Sequence, residues 1–172
     1  KLPEFFVALA KGGQRKAALK VLRALIEPLP ESGAERGLRW MQTGSGLEAW
    51  QFSELVDKEL ADVAPHLGVA LIAELARALD MGLDGGASPE EIYSDGSRVW
   101  RPRISEDRDR NEMRDALVTA IGRAAEVLLQ KGLATFDQID GVLARRSRLV
   151  FDRLSTNLLV RHPEVPISKR VV

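Results

Sequence analysis

The sequence predicts an all-α fold of stacked helical hairpins, a HEAT- or armadillo-like α-solenoid segment, and three observations carry that prediction. Apolar residues recur at three-and-four spacing along most of the chain, and glycine or proline breaks those runs at intervals. Period-two runs of Val, Ile, Thr and aromatics are confined to fragments such as Val165 to Ile167, which Pro163 and Pro166 interrupt.

Phe5, Phe6 and Leu9 mark a short first helix, closed by Gly12-Gly13, where glycine turns the chain without steric cost. Ala17, Ala18, Val21, Leu22, Leu25 and Ile26 then mark a longer one, which Pro28 and Pro30 stop by removing donors and fixing φ. Together they predict a hairpin over about 3 to 27. Leu38, Trp40 and Met41 hint at a short helix before Gly44-Ser45-Gly46. A second hairpin is expected next. Its first arm carries Leu47, Trp50, Leu55, Val56, Leu60 and Val63, and its second Leu67, Leu71, Ile72, Leu75 and Leu79 up to Gly82. The link Ala64-Pro65-His66 is so short that it predicts antiparallel neighbours.

Residues 82 to 106 read as one long irregular loop, relieved by a helical turn at the capping box Ser88-Pro89-Glu90-Glu91. Met113, Leu117, Ile121, Ala124 and Leu128 give the clearest helix, ended by Lys131-Gly132. Thr135 and Gln138 form a capping box for a short helix through Leu143, and Ser147 is placed to cap a last helix, Leu149 to Val160, before Pro163. The chain thus ends as it begins. Shifted by 134 residues, Leu9-Ala10-Lys11 lies on Leu143-Ala144-Arg145 and Leu25-Ile26 on Leu159-Val160, as expected of a two-helix repeat whose faces are buried against neighbours.

Composition narrows the function classes. With 172 residues, 45% hydrophobic and 29% charged, residues 1–172 are expected to form a single helical-repeat domain cut from a longer chain. The absence of cysteine removes disulfides, thiolate metal sites and cysteine nucleophiles, and suits a reducing, cytoplasmic setting. No apolar run is long enough to predict a membrane span. The net charge of zero conceals a division: residues 1 to 27 carry six Lys/Arg against two Asp/Glu, and residues 141 to 172 carry seven against two. Of 25 residues of each sign, twelve basic and twenty-one acidic remain for the middle. Such a division points either to an anionic partner at a basic end or to attraction between neighbouring repeats.

Ile92-Tyr93-Ser94, Trp100-Arg101-Pro102-Arg103-Ile104 and Met113-Arg114-Asp115-Ala116-Leu117-Val118 form a series resembling HEAT-like helical arrays. Those arrays are similar to the C-terminal halves of large bacterial ATP-binding proteins, some linked to defence against phage. The likeness spans roughly residues 50 to 163. It implies a non-catalytic scaffold, interaction or sensor module within a larger bacterial protein, with any ATPase elsewhere in the parent. Gly12-Gly13, Gly44-x-Gly46 and Gly85-Gly86 lack the Lys-Ser/Thr of a phosphate-binding loop.

Few residues are equipped for chemistry. His66 and His162 each adjoin a proline at a helix boundary and read as structural; no metal ligands, catalytic residues or cofactor are assigned. A small hydrolase using His66 with loop carboxylates is the weakest of three readings, since Gly44-Ser45-Gly46 is not a nucleophile elbow. The alternating stretch Ser105 to Glu112 holds carboxylates that a first helical turn favours through its dipole. Trp100, Arg101 and Pro102 are expected to anchor the long loop over the helices. The sharpest surface signal is Arg145, Arg146, Arg148, Arg153 and Arg161 around a helix junction, candidates for contact with a partner or with phosphate. Arg148 and Asp152 are spaced as an ordinary helix pair, and the aromatic interleaving of a single-strand binder is missing, so nucleic-acid contact is the runner-up. The expected partners are flanking repeats and a further protein.

Overall fold

The computed structural model describes residues 2–27, 47–84 and 113–163, and within them the chain runs through seven helices and no strand. These are α1 (Leu2–Lys11), α2 (Arg15–Ile26), α3 (Ala49–Leu67), α4 (Val69–Asp84), α5 (Met113–Gln130), α6 (Phe136–Leu143) and α7 (Leu149–Arg161). The short helix hinted at by Leu38, Trp40 and Met41, the turn at Ser88, the Ser105 to Glu112 stretch and the Trp100-Arg101-Pro102 anchor lie outside the described residues.

Local chemistry sets most of the boundaries. α1 closes in a Schellman turn: Gln14 N–H donates to Leu9 O at 2.9 Å, Gly13 N–H to Ala10 O at 3.1 Å, and Gly13 takes φ 75°. α5 closes in the same way, with Leu133 N–H on Leu128 O at 2.9 Å, Gly132 N–H on Leu129 O at 3.0 Å, and Gly132 at φ 64°. The capping box of α6 forms as its sequence predicts, Thr135 N–H donating to Gln138 Oε1 at 2.9 Å and Gln138 N–H to Thr135 Oγ1 at 3.3 Å. Ser147 does not cap α7. The cap position falls to Arg148, in extended conformation and without a side-chain bond to the helix start.

The second hairpin differs most from expectation. α3 passes through Pro65 to Leu67, and the break falls at Gly68, which adopts φ 60°. Proline in a last turn lacks one N–H and leaves the carbonyl four residues back unpaired, which a helix tolerates more easily there than a backbone reversal. α3 and α4 touch only slightly; each packs instead against α5, which takes the place an antiparallel partner would have had. α4 also continues two residues beyond Gly82.

One continuous core joins all seven helices. Leu71, Ile72, Leu75 and Leu79 on α4 and Leu117, Ile121 and Leu128 on α5 are wholly buried at its centre. Ala116, Ala120 and Ala124 form a buried stripe on α5 at i, i+4, i+8. With nothing beyond Cβ, such a stripe lets helix axes approach closely. Around this centre, α1 packs on α3 and α2 on α4, while α6 packs on α4 and α7 on α5 and α6.

Candidate interaction site

Charged side chains tie these layers together. Lys11 of α1 donates to Glu59 and Asp62 of α3, both at 3.1 Å. Arg23 of α2 donates through Nε to Glu74 of α4 at 3.0 Å, and Arg77 of α4 donates to Glu27 at 3.2 Å. The Arg23 hydrogen bond holds the Glu74 carboxyl below the ordinary carboxylate value against the opposing effect of burial, with Arg77 adding to it. Bonds to Asp62 and Glu59 raise the Lys11 ammonium above its ordinary value. The basic N-terminal hairpin therefore meets the acidic middle.

The arginines singled out in the C-terminal region behave likewise. Arg148 donates to Asp80 of α4 at 2.8 Å, and Arg146 reaches the Ala73 carbonyl of α4 at 3.3 Å and the Val142 carbonyl at 3.1 Å. Arg146 also stands over the Phe151 ring, 5.8 Å from its centre. Burial pushes its guanidinium below the ordinary value, while the Asp80 charge pulls the other way. Arg161 pairs with Glu126 of α5, about 20 Å along α7 from Arg148 at the standard helical rise. Arg145 is exposed and Arg153 half-buried. At least three of the five are engaged by carboxylates, Arg146 and Arg148 by Asp80 at the α4 contact and Arg161 by Glu126 on α5. Arg148 finds its carboxylate on a different helix from the Asp152 that the spacing pointed to. His66 is exposed at the end of α3 and His162 half-buried at the end of α7, and no group of His, Asp and Glu able to hold a metal occurs among the described residues.

A groove that the apolar pattern did not isolate lies between α1 and α3. It is open and encloses about 590 Å³. Pro3, Val7 and Lys11 line it from α1, and Trp50, Leu55 and Glu59 from α3. The Trp50 side chain is 58% exposed, yet its Nε1–H donates to Glu48 Oε2 at 2.6 Å, which fixes the indole at the rim. The three-and-four pattern had counted Trp50 among core residues. Its phase is the signal that distinguishes it: Phe52, Leu55, Val56, Leu60 and Val63 share the buried face, and Trp50 sits two residues from Phe52, well round the helix.

No family model, curated protein or solved structure matches this chain.

Proposed function

We propose that this chain is a non-catalytic helical-repeat module, HEAT-like in its stacking, that serves as a scaffold or interaction surface in the cytoplasm within a larger bacterial protein. The observation that carries this reading is the register between the first two layers. Lys11 meets Glu59 and Asp62, Arg23 meets Glu74 and Glu27 meets Arg77, at sequence separations of 48, 51, 51 and 50. On the second arm the partners ascend together, Arg23 with Glu74 and then Glu27 with Arg77, which makes α2 parallel to α4, while Lys11 ties the end of α1 to the same layer at a similar separation. That is the relation between successive units of a solenoid, each of which buries its faces only against its neighbours. The Trp-Arg-Pro series and its likeness to arrays in bacterial ATP-binding proteins favour the same assignment. In this reading α5 fills the gap between splayed α3 and α4, and function resides in the outer faces.

The test is a search for turnover. The chain and its His66→Ala variant are assayed on generic ester and phosphoester substrates, with no hydrolysis by either as the expected result. Hydrolysis by the unmodified chain that His66→Ala abolishes would replace the scaffold reading with an enzymatic one.

A further inference from the structure

The α1/α3 groove has the shape, the anchor and the charge of a peptide-docking site. Its walls are single helical stripes: Pro3, Glu4, Val7, Ala8 and Lys11 recur at three-and-four spacing on α1, and Trp50 to Glu59 do the same on α3. Each wall covers about nine or ten residues, or roughly 14 Å at the helical rise, so the furrow matches a third helix of two to three turns laid between two neighbouring helices. Val7, Leu47 and Leu55 give it an apolar floor, and the pinned indole of Trp50 offers the kind of rigid, exposed aromatic that anchors interfaces.

Charge selects the occupant. Glu4, Glu54 and Glu59 line the groove, Glu48 is bonded to Trp50 and Asp62 to Lys11, so five carboxylates stand there against the ammoniums of Lys11 and Lys58 among the described residues. Those two ammoniums are held by Glu54, Glu59 and Asp62. An acidic helix meets net repulsion in such a furrow, and a basic one net attraction. We propose that the α1/α3 groove docks a short amphipathic helix of a partner protein, its apolar stripe on Trp50, Val7 and Leu55 and its Lys/Arg flanks on the carboxylate rim. The proposal rests on the interaction-module reading and names the chemistry of the partner.

A display library tests it. Peptides of about 14 residues, four helical turns, are made apolar at i, i+3, i+4 and i+7, with the remaining positions drawn from Lys, Arg, Glu, Gln and Ser. They are panned against the full chain. The expected winners carry an excess of Lys/Arg, bind Trp50→Ala at least about tenfold more weakly, and give way to Glu-rich winners when Glu4→Lys and Glu54→Lys are combined. All three side chains are on the surface, and circular dichroism of each variant verifies its fold. Acidic or neutral winners, or no winners, overturn the proposal. So does self-association of the chain in sedimentation that Trp50→Ala abolishes, which would make a second copy the occupant. Basic winners indifferent to Trp50→Ala also overturn it, but they bind another face and leave the interaction-module reading standing; that reading falls only with the His66-dependent hydrolysis described above.

Discussion

The hairpins at the two ends of the molecule start in the same register and are buried the opposite way round. Leu2 and Arg15 open the helices of the first, Phe136 and Leu149 those of the second, with the same 134-residue offset at both starts. In α2 the core takes Ala18, Leu22, Leu25 and Ile26. The residues at those positions in α7 are Asp152, Thr156, Leu159 and Val160, of which Asp152, Thr156 and Val160 are exposed, the last by 74%. Conversely, α7 buries Val150, Phe151, Leu154 and Leu158, where α2 has Lys16, Ala17, Lys20 and Ala24. The short helices follow suit in part: α6 buries Phe136 and Ile139, while their equivalents Leu2 and Phe5 are 56% and 52% exposed. The first hairpin packs on helices that follow it, the second on helices that precede it. One backbone plan therefore accepts either face as its buried face, and the side chains record which side the neighbour occupies.

Matched substitutions give the strongest way to break this comparison. Phe151→Ala is expected to cost about 3–5 kcal/mol and Leu154→Ala about 2–5 kcal/mol in urea unfolding, because both empty wholly enclosed sites. Lys20→Ala, at the position equivalent to Leu154, should change stability by no more than about 0.5 kcal/mol. In the first hairpin the order reverses, Leu22→Ala costing about 2–5 kcal/mol and Thr156→Ala on α7 little. Equal costs within either pair would mean that the two hairpins bury the same face.

A smaller effect separates the ways in which the hairpins are fastened. Glu74 receives Arg23 from the first hairpin and Arg77 from its own helix, so Glu74→Gln should lose about 1–2 kcal/mol at neutral pH, as expected for charge-assisted bonds in a half-buried setting. The sign of the pH dependence follows from its lowered carboxyl. The contribution is complete above the ordinary value of 4.5 and is lost as pH falls through the depressed value of the folded state. Stability measured below pH 4.5 should therefore fall less steeply in Glu74→Gln than in the unmodified chain.

The smallest expected effect is local to the second hairpin. Thr135→Ala removes the oxygen that accepts Gln138 N–H and should cost about 1 kcal/mol. Amide exchange over α6 should rise while that over α1 and α2 stays unchanged, since opening of a terminal unit need not involve the far end. A uniform rise would show that the two ends open together.

Much of the fold was legible because it is written in short-range terms. The glycines at 13 and 132, the Thr135 box and the apolar stripes all act within a turn or two of themselves, and they fixed the helices where they were expected. Gly68 was less legible, since Pro65 offered a more conspicuous break three residues earlier. The arginines at 146 and 148 were legible as a basic junction but not as a contact with α4, because Asp80 and Ala73 lie 68 and 73 residues away in sequence. Trp50 was legible only through its phase, and an exposed indole in an apolar run is easily taken for core.

What the sequence determined by itself is a set of amphipathic helices with their stops and caps, and an inventory without thiols. Each of these follows from backbone sterics and from the period of side chains along one helix. Only the tertiary structure decided which face of each terminal hairpin is buried, which carboxylate each basic residue meets, and that α1 and α3 leave a furrow beside Trp50. The physical reason is that periodicity is a property of one helix, whereas burial and ion pairing depend on where a second helix comes to rest.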